Sequence, residues 1–268
     1  MPASSTTTTT TNATLAVENV TIRFGGVTAL GDVSVRFEAG EISALIGPNG
    51  AGKSSLLNAI CGIYPVDEGH VRLGETELTG LRPFQIARHG IARTFQNIVV
   101  SKGESTLDNL MVGRHGLLES SLWRSALRLD RREEARHLAR VRDIAEAVGL
   151  SAQLDAKAGS LSYGMLKRVE FARALCTEPQ LVLLDEPVAG MHADESLEFG
   201  GIIRSLARDL GITVVVIDHD MPFVFDLAEH LTVLSFGQVI ATGRPEDVRN
   251  DPDVIAAYLG TASERNGS

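Results

Sequence analysis

Residues 47–55 read GPNGAGKSS, a pattern whose residue types suit the gripping of phosphate. Gly47, Gly50 and Gly52 tolerate positive φ and close backbone approach, so N–H groups of a loop running through Pro48, Asn49 and Ala51 can converge on phosphate oxygens. Lys53 adds charge for the terminal phosphates, the Ser54 hydroxyl suits a place on Mg²⁺, and Ser55 can bond a phosphate nearer the base. The context agrees: strand-like EISALI precedes the loop, and the apolar helix SSLLNAICGI follows it, ending near Gly62. A bare glycine-rich turn between strand and helix is the weaker reading.

The run LVLLDE (181–186) supplies what such a loop still lacks. Two unit negative charges about 4 Å apart repel by roughly 4 kcal/mol at an effective dielectric near 20. Asp185 and Glu186 beside a polyphosphate therefore require a divalent cation. Asp185 belongs on the Mg²⁺ side, through water, and Glu186 is placed to polarise an attacking water. Three further residues join them. Gln96, in ARTFQN, can orient the metal or the water. His219, in VVVIDHDM, follows the next core strand and can reach a γ-phosphate; Phe24, in FGGVTAL, can stack on an adenine ring. Taken singly, each of the three is unremarkable, and their case rests on company.

A second stretch has anion-holding chemistry of its own. In LSYGMLKRVEFARAL (161–175), Ser162 and Gly164 stand at the mouth of a helix whose apolar stripe runs Met165, Val169, Ala172, Cys176. The plainer alternative is that Ser162 only caps that helix.

These groups need a scaffold, and the elements around them read as an α/β fold. Short β-rich runs open the chain at VTIRF (20–24), VSVRFE (33–38) and EISALIG (41–47), with HVRLGE (70–75) beyond the loop. RPFQIARHG reads as a short helix between Pro83 and Gly90. From about 105 to 177 the pattern is helical, with Leu138, Val141, Ala145 and Val148 at helical spacing. Strands return at LVLLD, TVVVID, LTVLS and QVIAT. The expected division is a single domain over 15–260: a core of 15–96 and 178–245, a helical insertion over 97–177, and a last helix over 252–259 ended by Gly260. The Thr-rich segment 1–14 and the tail 261–268 are expected to be disordered.

Composition narrows the partners. The chain of 268 residues carries a formal net charge of −9, which argues against a nucleic-acid partner. Its longest apolar candidate, ITVVVI, is of strand length, far below the roughly 18 residues of a membrane helix, so a membrane role must come through a partner. Cys61 and Cys176 read as reduced, buried thiols. The arginines of SLWRSALRLDRREEARHLARVRD interleave with Asp130, Glu133, Glu134 and Asp143, as on a solvated helical face. Trp123 there can anchor a partner or fill a local core.

Taken together, the phosphate loop, the Gln96 loop, LSYGM followed in order by LVLLDEP, and His219 resemble the ATP-binding cassette family in order and spacing over about residues 15–245. The resemblance implies a P-loop NTPase (RecA-like) core with an antiparallel β subdomain and an inserted α-helical subdomain. It also implies ATP and Mg²⁺ as cofactors, and a second ATPase subunit packed head to tail. Leu161, Ser162, Tyr163, Gly164 and Met165 of one subunit would then close over the γ-phosphate held by the other. Tyr163 replaces a family glycine, Met165 a glutamine, and His192 an aspartate.

FGGVTAL, GIARTFQN, TLDNLMVGRH, LLDEPVAGM, DHDM and GRPEDVRNDPDVIAAYLG look most like the ATPase subunits of bacterial branched-chain amino-acid importers. Such subunits lie on the cytoplasmic face of the cell membrane beneath two integral membrane permease subunits, served indirectly by an extracytoplasmic solute-binding protein. An importer of urea or short amides, and a soluble cassette ATPase such as an assembly factor, stay open as alternatives. A P-loop kinase would leave LSYGM and His219 without a task.

Overall fold

A computed structural model describes residues 13–117 and 130–265. Trp123, Arg124 and Arg128, most of the Thr-rich segment and the last three residues of the chain lie outside the described residues.

The chain opens with β1 (Leu15–Phe24) and β2 (Val27–Phe37), paired antiparallel, and β2 begins well before the VSVRFE run. Next come β3 (Ile42–Ile46), the glycine loop and α1 (Lys53–Ile60). They are followed by β4 (Glu68–Leu73), β5 (Thr76–Glu77), α2 (Pro83–Arg88) and the three-residue β6 (Ile91–Arg93). The helical stretch holds α3 (Thr106–Met111), α4 (Asp130–Ala147) and α5 (Tyr163–Leu175). The chain then runs β7 (Leu181–Asp185), α6 (Ala193–Leu210), β8 (Thr213–Ile217) and α7 (Met221–Leu227). It closes with β9 (His230–Ser235), β10 (Gln238–Gly243), α8 (Pro245–Arg249) and α9 (Pro252–Arg265).

Two sheets result. One has the order β2-β1-β4-β5 and is antiparallel. The other has the order β10-β9-β3-β8-β7-β6, parallel from β9 to β6 with β10 antiparallel at the edge. Strands β3, β7 and β8 are buried at every position, as the apolar runs of β7 and β8 require of a sheet covered on both faces, and Ser43 of β3 is buried with them. Their side chains alternate between two cores. Ala44, Ile46, Val182, Leu184, Val214 and Val216 face the helical side, against α5, α6 and α7. Leu45, Leu183, Val215 and Ile217 face α1 and the antiparallel sheet.

Local signals explain the helix ends. The Asp220 carboxylate caps α7 by accepting the Phe223 N–H at 3.1 Å, and Gly211 ends α6 in the left-handed region at φ 63°. In α4, Val141, Ile144, Ala145 and Val148 are buried, while Leu138 is only partly so. On α5, Val169, Ala172 and Cys176 are buried and Met165 is partly covered. Both cysteines are unpaired, and burial pushes the Cys176 thiol up to about 12.

One expectation needs correcting. Gly260 does not stop the last helix, which runs on to Arg265 through residues expected to be disordered. A glycine inside a helix costs only about 1 kcal/mol relative to alanine, so it permits a stop without enforcing one.

The helical-side core contains an edge-on pair, Phe171 of α5 against Phe199 of α6, with ring centroids 5.7 Å apart. Phe199→Ala should destabilise the chain by about 3–5 kcal/mol, read as a lowered urea midpoint. A midpoint at the parent value would show that these helices are not held through this contact.

Candidate active site

Strands β3, β8 and β7 are neighbours, and the segments leaving their carboxyl ends meet around one cleft of about 620 Å³. Its floor is the glycine loop and the start of α1; Gln96, Asp185 and Glu186 line it as well. The loop follows the close packing below it. Gly47 has φ +146°, and a Cβ there would lie 2.1 Å from the Leu234 carbonyl oxygen. Asn49, Gly50 and Ser54 are exposed to the cleft, Ala51 is buried, and Pro48, Gly52, Lys53 and Ser55 are partly covered.

The Lys53 ammonium donates to the carbonyls of Gly47 (2.6 Å) and Pro48 (2.8 Å). Burial holds it below the ordinary lysine range, while Glu186 and Asp185 pull it back up. The loop also meets the last helix: burial raises the Tyr258 hydroxyl above its ordinary range, and the Gly47 backbone beside it works in the opposite direction.

Gln96 Nε2 donates to Glu186 Oε2 at 2.9 Å, and His219 Nδ1 lies 3.8 Å from Glu186 Oε1. Glu186 adopts φ +50°, a left-handed conformation that costs a non-glycine residue about 1–3 kcal/mol. Its N–H donates to the Ile217 carbonyl at 2.7 Å and its own carbonyl accepts from Lys167 at 3.1 Å, which fixes the turn. His219 is positioned by Asp218, whose buried carboxylate accepts the N–H groups of Val188, His219 and Asp220. Burial raises the Asp218 carboxyl above its ordinary range against those three bonds.

Asp185 is not a bare carboxylate. The Arg93 guanidinium donates to its Oδ2 at 2.8 Å and to Asn58 Oδ1 on α1 at 2.7 Å, and it lies over the Phe95 ring. Nothing in the pattern ARTFQN set Arg93 apart, because the three-residue strand β6 that delivers it was not recognised. Lys167 was missed for another reason: a lysine in an amphipathic helix reads as surface.

Gly47, Pro48 and His219 flank the cleft lining through Lys53 and Glu186 rather than forming it, and two further groups of expected residues stand apart from it. Phe24 does not line the cleft; it is half-exposed, with its ring edge-on to Tyr64 at 5.0 Å. Phe236, 87% exposed, does line it, an aromatic that sequence reading overlooked. Leu161, Ser162, Tyr163, Gly164 and Met165 are outside the cleft at the start of α5, where Ser162 Oγ accepts the Met165 N–H at 3.3 Å.

A parallel sheet with a phosphate loop after one strand and paired acids at the end of another defines the P-loop NTPase class. The ABC transporter family model matches residues 30–189, and a branched-chain amino acid ATP-binding cassette transporter model matches residues 238–264. The chain is 38% identical over 250 residues to the high-affinity branched-chain amino acid transport ATP-binding protein LivG of Salmonella typhimurium, spanning 92% of this chain and 98% of that one. It is 37% identical to BraF of Pseudomonas aeruginosa, with the same description and the same coverage.

Among solved structures, a nucleotide-free ATP-binding cassette from an ABC transporter superposes with a TM-score of 0.80 at 34% identity, over 92% of this chain and 98% of that one. Another such cassette, in its ADP conformation, gives 0.81 at 35% identity over 92% and 99%. The chain belongs to the ABC transporter family, as one of its ATP-binding ATPases.

Removing one partner of a buried ion pair strands the other charge. Arg93→Met should therefore cost about 3–5 kcal/mol in urea unfolding, and adding Asp185→Asn should recover most of that loss. Additive losses in the double variant would mean that the two side chains are not coupled.

Proposed function

We propose that this chain is the ATP-hydrolysing subunit of an ABC importer for branched-chain amino acids. The observation that carries the enzymatic half is the Gln96–Glu186–His219 cluster at the rim of the phosphate-loop cleft. The match of residues 238–264 and the printed functions of LivG and BraF support the transported class. Residues 15–260 act as one nucleotide-binding domain, with 97–177 as the inserted helical part.

In this reading the loop from Gly47 to Gly52 and the hydroxyls of Ser54 and Ser55 hold the phosphates. Lys53 exchanges its two carbonyl partners for phosphate oxygens. Phe236, on the cleft wall, is the ring offered to the base. Glu186 accepts a proton from a water oriented by Gln96. That water's oxygen bonds to the γ-phosphorus as the bond to the leaving ADP oxygen breaks, while His219 steadies a γ-oxygen.

The donors present also fit Mg²⁺. Among the described residues no three His, Cys, Asp or Glu side chains form a cage, and Mg²⁺ is ordinarily held by phosphate, water and one or two protein oxygens. Ser54, Gln96 and Asp185 would hold it, and when bound it offsets the charge of the phosphate oxygens.

The exposed serine-tipped start of α5 completes the site of a second cassette subunit. Residues 161–165 there grip the γ-phosphate in trans through a helix N-terminus. Among the described residues no helix is long and apolar enough to cross a membrane. Attachment beneath two permease subunits, at the cytoplasmic face and fed by an extracytoplasmic binding protein, gives the chain its role in transport. A soluble cassette ATPase would instead purify without membrane partners.

Glu186→Gln should keep ATP affinity while turnover falls by about a hundredfold or more, with closed dimers accumulating in size-exclusion chromatography. Turnover at the parent rate would remove Glu186 as the base. Ser162→Arg should leave ATP binding by the isolated chain unchanged and block dimer closure; normal ATPase activity in that variant would contradict gripping in trans.

A further inference from the structure

Lys167 is 3% exposed and lies two residues past the 161–165 helix start, with no role assigned above, yet it reaches three expected site residues. It projects from the first turns of α5. Its ammonium donates to the Gln96 carbonyl at 3.2 Å and to the Glu186 carbonyl at 3.1 Å, and lies 5.8 Å from the centre of the Tyr163 ring. Gln96 and Glu186 are the pair whose side chains meet at 2.9 Å. Tyr163 in turn packs on Gly190, where an added Cβ would come within 3.2 Å of the ring, so the segment after Glu186 is held against the helix start as well.

Two further α5 side chains secure the same Gln96 segment. Glu170 Oε1 accepts the Val99 N–H at 2.9 Å, and Arg173 donates to the Val99 carbonyl. A regular helix carries displacement along its axis without an intervening hinge. Anything that moves residues 161–165 therefore acts on the backbone of both Gln96 and Glu186 through side chains one to three turns away.

We propose that Lys167 is a positioning residue: it couples contact at the 161–165 helix start to the geometry of Gln96 and Glu186 in the chain's own cleft. The inference rests on Glu186 as base and on 161–165 as the contact for a second subunit's ATP. The action of Lys167 runs through the backbone carbonyls of Gln96 and Glu186 rather than through contact with nucleotide or water. It sets where the base points, so that gripping the neighbour's phosphate and aligning the chain's own base become one event.

The test compares ATP affinity and steady-state turnover in the full chain for Lys167→Met and Lys167→Arg, with Glu186→Gln alongside. Lys167→Met keeps the stem and loses the donors. Its kcat should fall by about ten- to a hundredfold with ATP affinity within about twofold of the parent, and Lys167→Arg should recover part of the rate. Parent-rate turnover in Lys167→Met, or affinity and turnover falling in parallel, would overturn the coupling.

Should Lys167→Met not fold, hydrogen exchange on the Glu186→Gln chain decides: closure on ATP should slow exchange at Val99, and unchanged exchange there overturns it. Normal hydrolysis by Glu186→Gln would instead refute the base assignment itself, a separate failure.

Discussion

Crowded negative charge is the constraint around which the cleft is built. Strands β3, β8 and β7 end side by side, and the last two deliver Asp218, Asp185 and Glu186 to one edge of the sheet, where the proposed ligand is itself a polyanion. Each carboxylate is answered separately. Asp218 is buried and accepts three backbone N–H groups, and Asp185 takes Arg93. Unlike Asp185, the Glu186 carboxylate has no guanidinium paired with it among the described residues and meets the Gln96 and His219 side chains instead. That difference suits the one acid proposed to exchange a proton, since a tight guanidinium partner would hold it ionised and weakly basic.

Such an arrangement needs a rigid base. The alternation of β3, β7 and β8 side chains between two cores locks the strands from both faces, so the loops at their ends start from fixed points. Backbone strain is tolerated on that base. Glu186 holds a left-handed conformation between an N–H bond to Ile217 on β8 and a carbonyl bond from Lys167 on α5. One of those anchors belongs to the parallel sheet and the other to the helical stretch, so the base is set by the junction of the two. The helix that begins after Ser162 thus serves two places at once, its exposed start facing outward and its buried Lys167 held against the carbonyls of Gln96 and Glu186.

Much of this was legible in the residues. GPNGAGKSS and LVLLDE carry their chemistry in contiguous letters, and the unbroken apolar run of LVLLD marks β7 as a central strand. What escaped depends on contacts between distant segments. Arg93 lies on a strand of three residues, too short for a periodic signal, and its value comes from Asp185 across the sheet. Lys167 has the composition of a surface residue, and only the fold brings the carbonyls of Gln96 and Glu186 to it. Phe236 is exposed on the turn between β9 and β10, where no pattern distinguishes a cleft wall from solvent. Gly260 reads as a stop because glycine permits one, although the helix passes through it.

The proposed mechanism requires that two protomers share each triphosphate, with Lys53 on one side and Ser162 on the other. ATP turnover per chain across a dilution series, with oligomeric state followed by sedimentation, tests this most directly. Turnover should fall as dimers dissociate and return on reconcentration. Undiminished hydrolysis by a strictly monomeric sample would contradict the shared site.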